Sequence, residues 1–225
     1  IVLHYSAFMA MNNRFVDYVV SQKSSTVVAF YQDEMHNWDR RIAAIEKMNV
    51  EVVYSCLEPI AHEQTYYSLT SVKKVHHCLT GYVADSLKDA ASKRFIPLSK
   101  RKIDVGYRAR PLPFFMGQGA QEKTEIAEGF LKYVSNQELK NDIKTGELDR
   151  IYGDEWHDFV ANCRAMLGVE SGVSIVDIDG SIEARCNEFE KINPNCSFHQ
   201  ISSAILNKYE NNVFYRTISP RAFEC

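Results

Sequence analysis

Ile103-Asp104-Val105-Gly106-Tyr107-Arg108-Ala109-Arg110-Pro111 decides how the chain is read. An apolar run reaches a glycine, arginines follow at alternate positions, and a proline ends strand pairing. A helix is predicted to open at Ala120-Gln121-Glu122-Lys123. Strand, cationic loop and helix N-terminus, in that order, make a place to hold an anion such as a phosphate. The stretch reads as the start of a second α/β domain. The basic connector before it, Pro97 to Lys102, reads as solvated: it is short and lacks the interleaved aromatics of a nucleic-acid patch.

Upstream, strand and helix patterns alternate. Ile1 to Tyr5, Thr26 to Tyr31 and Val50 to Ser55 read as buried strands, and Val72 to Leu79 as a fourth with polar interruptions. Asn12 to Ser21, Trp38 to Met48 and Asp85 to Ser92 read as helices. Downstream, helices are predicted over Gln121 to Val134, Trp156 to Met166, Ile182 to Ile192 and Phe198 to Tyr209. A short strand is predicted within Leu139 to Lys144, further strands over Leu167 to Gly172 and Val213 to Tyr215, and Ser219-Pro220 opens a last helix with Ser as N-cap and Pro at N1. Alternation of this kind predicts parallel sheets covered by helices, divided into residues 1–96 and 97–225.

Composition bounds the function. The chain has 225 residues, 45% hydrophobic and 24% charged, with a formal net charge of -3. That balance is ordinary for a globular protein and gives no reason to expect nucleic acid as the main partner. No apolar run approaches the ~20 residues that span a bilayer. The opening Ile1-Val2-Leu3 already reads as strand, without Met or a basic n-region, and Cys225 falls just inside a helix start. An internal fragment of a longer protein is therefore expected. The cysteines are scattered without C-x-x-C spacing, which suits buried thiols in a reducing, cytoplasmic setting.

Four polar clusters follow predicted strands: His4-Tyr5-Ser6, Gln32-Asp33-Glu34, Arg108-Ala109-Arg110 and Glu170-Ser171-Gly172. In open parallel sheets that edge holds ligands. Arg108 and Arg110 can each present paired donors to a diphosphate; the competing reading is a surface pair beside Asp104 or Glu122. Glu170 can accept from sugar hydroxyls beside the amides of Ser171 and Gly172, or be an exposed strand-end acid. Arg221 and Glu224 either form an i,i+3 ion pair or face phosphate and ribose at a helix start. His4 and Asp33 are the acid–base candidates, against an ordinary structural histidine. Asp177 and Asp179 fit a turn better than a calcium loop, whose later ligands are missing. No metal or other cofactor is predicted, and no G-x-G-x-x-G, P-loop or G-x-S-x-G occurs.

Three segments carry a family resemblance: Asp104 to Arg110, Leu167 to Gly172, and Ile218-Ser219-Pro220-Arg221-Ala222-Phe223-Glu224. With Gln32-Asp33-Glu34 and Leu79 to Val83, they resemble bacterial glycosyltransferases of surface-polysaccharide assembly. The resemblance implies two facing Rossmann-like domains of the GT-B type, each truncated here. It implies a nucleotide-sugar held mainly by the second domain, with Glu224 on the nucleotide ribose and Glu170 near the donor sugar. The partners expected are that donor and a glycan or lipid-linked glycan acceptor, with no nucleic acid and no membrane span; peripheral association with a membrane is compatible. The rival expectations are a non-catalytic nucleotide-sugar-binding module and an α/β interaction domain.

Overall fold

Short apolar runs in which burial alternates, Val28–Phe30 and Val52–Ser55, set the centre of the first sheet. The computed structural model describes residues 1–9 and 11–225. Along the chain run β1 (Val2–Leu3), α1 (Asn13–Ser21), β2 (Val28–Phe30), α2 (Trp38–Met48), β3 (Val52–Ser55), α3 (Pro59–His62), β4 (Lys74–His77) and α4 (Asp85–Lys93). Then come β5 (Ile103–Arg108), α5 (Gln118–Tyr133), β6 (Asn141–Lys144), α6 (Gly153–Asn162), β7 (Cys163–Met166), β8 (Ser171–Val173), α7 (Ser181–Ile192), α8 (Phe198–Ile201) and β9 (Tyr215–Thr217). Wide π-type turns, Glu63–Tyr67 and Ser202–Leu206, continue α3 and α8.

Two compact units result. One gathers residues 1–80, 114–119 and 172–217; the other gathers 81–113, 120–171 and 218–225. Segments 114–119 and 172–217, which the sequence reading put in the second half, thus pack with the first.

In the first unit a parallel four-stranded sheet runs in the order β1-β2-β3-β4. Leu3, Ala29 and Val53 share one face and are almost fully buried. α2 supplies much of the core through Trp38, Ala44, Ile45 and Met48, at helical spacing. On the other face Phe30, Tyr54 and His76 stack across neighbouring strands, with centroids 4.5 and 5.0 Å apart.

In the second unit the parallel sheet has the order β6-β5-β7. The glycine of the opening stretch lies inside β5 rather than at its end. A Cβ on Gly106 would meet Cys163 Sγ at 2.3 Å and the Phe159 ring at 2.9 Å, so glycine lets α6 and β7 close onto β5.

Several expectations are corrected. The helix predicted over Trp156 to Met166 ends at Asn162, and Cys163–Met166 is a strand beside β5. The strand predicted from Leu167 begins only at Ser171. The first strand stops at Leu3, short of His4 and Tyr5. Val213 to Tyr215 gives way to Tyr215–Thr217, and the last helix start is a single 3-10 turn, Pro220–Phe223. A short helix at Pro59–His62, with proline in its first turn, adds to the expected elements.

Candidate functional site

The carboxyl edge of β5 gathers three of the expected residues in the second unit. Arg221 extends an Nη2–H to the main-chain carbonyl of Arg108, the last residue of β5. Its guanidinium lies over the rings of Tyr107, 5.0 Å away, and Trp156, 5.5 Å away. Cations over aromatic faces are held electrostatically as well as by packing. Trp156 Nε1 donates to Glu224 Oε2 at 2.8 Å. Arg221 and Glu224 are therefore fixed against one indole ring. Buried Tyr107 has its phenol pKa pushed up by burial, with the Arg221 charge pulling the other way.

Arg108 itself is committed inward. Its Nη1 donates to the carbonyls of Tyr107 and Asp142, and Nη2 to the Asp142 carboxylate, each at 2.9 Å. The guanidinium sits 4.2 Å over Phe159. This pair ties β5 to β6, which the parallel register places side by side with Gly106 opposite Asp142. Arg110, two residues on, is exposed. Glu170 is exposed as well, four residues beyond the end of β7. Ser219 precedes the 3-10 turn and makes no side-chain cap.

Gly172 has a structural duty in β8. Its φ is 105°, and a Cβ there would lie 2.1 Å from the carbonyl oxygen of Tyr215 in β9. Only glycine allows that approach. Ser171, which opens β8, is half-buried.

The start of α5, read from sequence as a phosphate seat, is capped within the chain. Gln118 N–H donates to Glu210 Oε1 and Gly119 N–H to Ser174 Oγ, both at 2.9 Å. Asp177 and Asp179 likewise cap α7. Asp177 accepts from Gly180 and Glu183 amides at 3.1 and 2.8 Å, and Asp179 accepts from Ser181 at 2.9 Å. Among the described residues no group of three or more His, Cys, Asp or Glu side chains is arranged to hold a metal ion.

In the first unit His4 is exposed, with Nδ1 2.9 Å from Ser6 Oγ. Asp33 is exposed in a left-handed conformation, φ 52°. The polar centre is instead Glu34, which is fully buried. Its carboxyl group accepts from Ser55 Oγ at 2.6 Å, from the Cys56 amide at 2.9 Å and from Tyr66 Oη. Its own N–H donates to Tyr215 Oη at 3.3 Å, and its carbonyl accepts from Trp38 Nε1 at 2.8 Å. Burial, then the Glu34 carboxyl, pushes the Tyr66 pKa well up; burial pushes that of Tyr31 to about 12. Arg41, also buried, donates to the carbonyls of Gln32 and Asp33 at 3.1 and 2.8 Å, fixing the loop that carries Glu34.

Asp33 is the acid–base candidate by sequence, and its neighbour Glu34 is the one with the buried partners. The available signal was position: Glu34 and Ser55 follow or end neighbouring strands at one sheet edge. No family model, no curated protein and no solved structure matches the chain.

Proposed function

We propose that the chain belongs to a glycosyltransferase that moves a sugar from a nucleotide-sugar to a growing glycan. The observation that supports it is the immobilised pair Arg221 and Glu224, held on Trp156 beside the last residue of β5. A cation and a carboxylate at the carboxyl edge of a parallel sheet suit a sugar diphosphate. In the proposed reaction an acceptor hydroxyl oxygen bonds to the anomeric carbon while the bond from that carbon to the diphosphate oxygen breaks. Negative charge builds on the departing diphosphate, and Arg221 and Arg110 offset it. Arg108 acts through position, since its donors hold Asp142. Glu224 orients ribose hydroxyls, and Glu170, Ser171, Gly172 and Ser219 complete the proposed donor set. His4 or Asp33 is the group proposed to take the proton of the acceptor hydroxyl.

A screen of nucleotide-sugars by calorimetry, with product stereochemistry read by NMR, tests the reading. Binding of one donor and transfer to a hydroxyl acceptor are expected. Absence of binding by every nucleotide-sugar overturns it. A second reading, donor binding without transfer, draws support from the inward commitment of Arg108 and the capped α5 terminus. It is separated by binding without product.

A further inference from the structure

The connector that the sequence offers as a solvated linker is a pinned loop with its apolar side chains turned outward. Arg94 donates from Nε to Asp158 at 2.8 Å and from Nη2 to Asp154 at 2.5 Å, both on α6. Arg101 donates to the carbonyls of Ile96 at 2.9 Å and Cys163 at 2.7 Å. Arg164 Nε reaches the carbonyl of Leu98 at 3.2 Å. A 3-10 turn, Leu98–Lys100, closes the loop, with the Lys100 amide on the Pro97 carbonyl at 2.8 Å. The backbone is thus held from beneath at several points.

Between these anchors Phe95 is 72% exposed and Leu98 is 62% exposed. A mobile linker shows apolar side chains by chance; a loop fixed by this many hydrogen bonds shows them as part of its fold. The segment is basic. Between Asp89 and Asp104 there is no acidic residue, while Lys93, Arg94, Lys100, Arg101 and Lys102 are all basic. The two arginines face inward, and the three lysines are exposed. Asp154 and Asp158 pair with Arg94, and Asp104 pairs with Arg164 at 2.6 Å.

Two large apolar side chains exposed on a pinned loop, with lysines flanking them in the sequence, match an anionic lipid surface, which takes apolar wedges and basic residues together. We propose that residues 93–102 seat the second unit on an anionic bilayer, with Phe95 and Leu98 entering the headgroup–acyl boundary and Lys93, Lys100 and Lys102 at the phosphate level. The loop leads into the first residue of β5, and Arg101 and Arg164 tie it to the start of β7. It therefore lies at the amino edge of the sheet. Arg221 contacts the other end of β5, about 17 Å away along a six-residue strand. The seat is separate from the proposed donor site, and its test does not depend on sugar transfer.

The experiment is co-sedimentation of the chain with two kinds of vesicle. One is phosphatidylcholine alone; the other carries about one part in three phosphatidylglycerol. Wild type is expected to partition at least about tenfold better onto the anionic vesicles, with the preference weakened by high salt. The pair Phe95→Ser and Leu98→Ser should lower that partition about tenfold or more, because these side chains supply the apolar transfer. The pair Lys100→Gln and Lys102→Gln should remove most of the preference for anionic lipid. Thermal unfolding of each variant checks that the loop change leaves the fold intact; all four side chains are exposed. The proposal is overturned if wild type binds neither vesicle, binds both equally, or binds no better than the Phe95/Leu98 variant. Capture by an acidic protein with no vesicle binding would also overturn it.

Discussion

The guanidinium of Arg221 donates to the main-chain carbonyl of Arg108, so the final turn of the chain is latched to the end of β5. The latch uses a backbone acceptor, which no substitution at position 108 removes. Arg221→Lys keeps a positive charge but loses the planar overlap with Tyr107 and Trp156. Nucleotide-sugar affinity is expected to fall about tenfold, because one charge-assisted hydrogen bond is worth about 1.5 kcal/mol or more. Calorimetry on wild type and variant reads the difference; equal affinity would remove Arg221 from the donor site.

Trp156→Phe separates orientation from charge. The ring stays beneath Arg221, but the donor to Glu224 at 2.8 Å is gone. Folding stability should change by about 1 kcal/mol. Donor affinity should fall, as the freed Glu224 carboxylate loses its fixed direction, and Glu224→Gln should fall further. A tryptophan change that leaves donor binding untouched while Glu224→Gln abolishes it would show that the indole does not orient the acid.

Glu34→Ala should be among the most destabilising single changes in the first unit. It strands the Ser55 hydroxyl, the Tyr66 hydroxyl and the Cys56 amide in a site closed to water. Unsatisfied buried groups cost about 1–3 kcal/mol each, so a loss of about 3 kcal/mol or more is expected. The urea midpoint measures it. Glu34→Gln, which keeps one acceptor oxygen, should cost less.

Gly172→Ala should open the β8–β9 pair. The added methyl would meet the Tyr215 carbonyl oxygen at 2.1 Å in a backbone conformation, φ 105°, that alanine rarely adopts. A destabilisation of about 2 kcal/mol or more is expected, with the Tyr215 amide region losing protection in hydrogen exchange.

Acid should loosen the amino edge of the second sheet. Asp104 accepts from the Lys140 amide at 2.8 Å and from Arg164 at 2.6 Å, and its carboxyl pKa is held below the usual range, chiefly by the amide. The folded chain then binds fewer protons than the unfolded one. The stabilisation is complete above about pH 4, the unfolded value, and fades as pH falls through the lower folded value. Asp104→Asn should flatten the stability profile below about pH 4 and leave its slope near neutrality unchanged, as read by thermal unfolding across pH.

What the sequence made legible was local. Helix α2 is found over the span its apolar spacing predicts, Trp38–Met48, and the buried runs around Ala29 and Val53 are strands. Cys163-Arg164-Ala165-Met166 read as helix because Arg, Ala and Met favour it and the periodicity from Trp156 runs on. Pairing with β5, sixty residues earlier by way of Ile103 opposite Cys163, prevails over that propensity. Site residues were legible as types but not as directions. Arg108 looks like a ligand-facing cation until Asp142 is placed beside it, and Glu34 looks like a loop acid until Ser55 and Tyr66 close around it. Those partners lie 34, 21 and 32 residues away, beyond any local pattern.

The interleaving of the two units bears on biosynthesis. The chain passes from one to the other after Thr80, Pro113, Gly119, Ser171 and Thr217. Residues 1–80 carry the whole four-stranded sheet, but the amide of Glu34 meets the Tyr215 hydroxyl of β9, which comes much later in the chain. During synthesis the polar centre at Glu34 is therefore completed only after position 215 has emerged, and a stop codon before that position would leave it open.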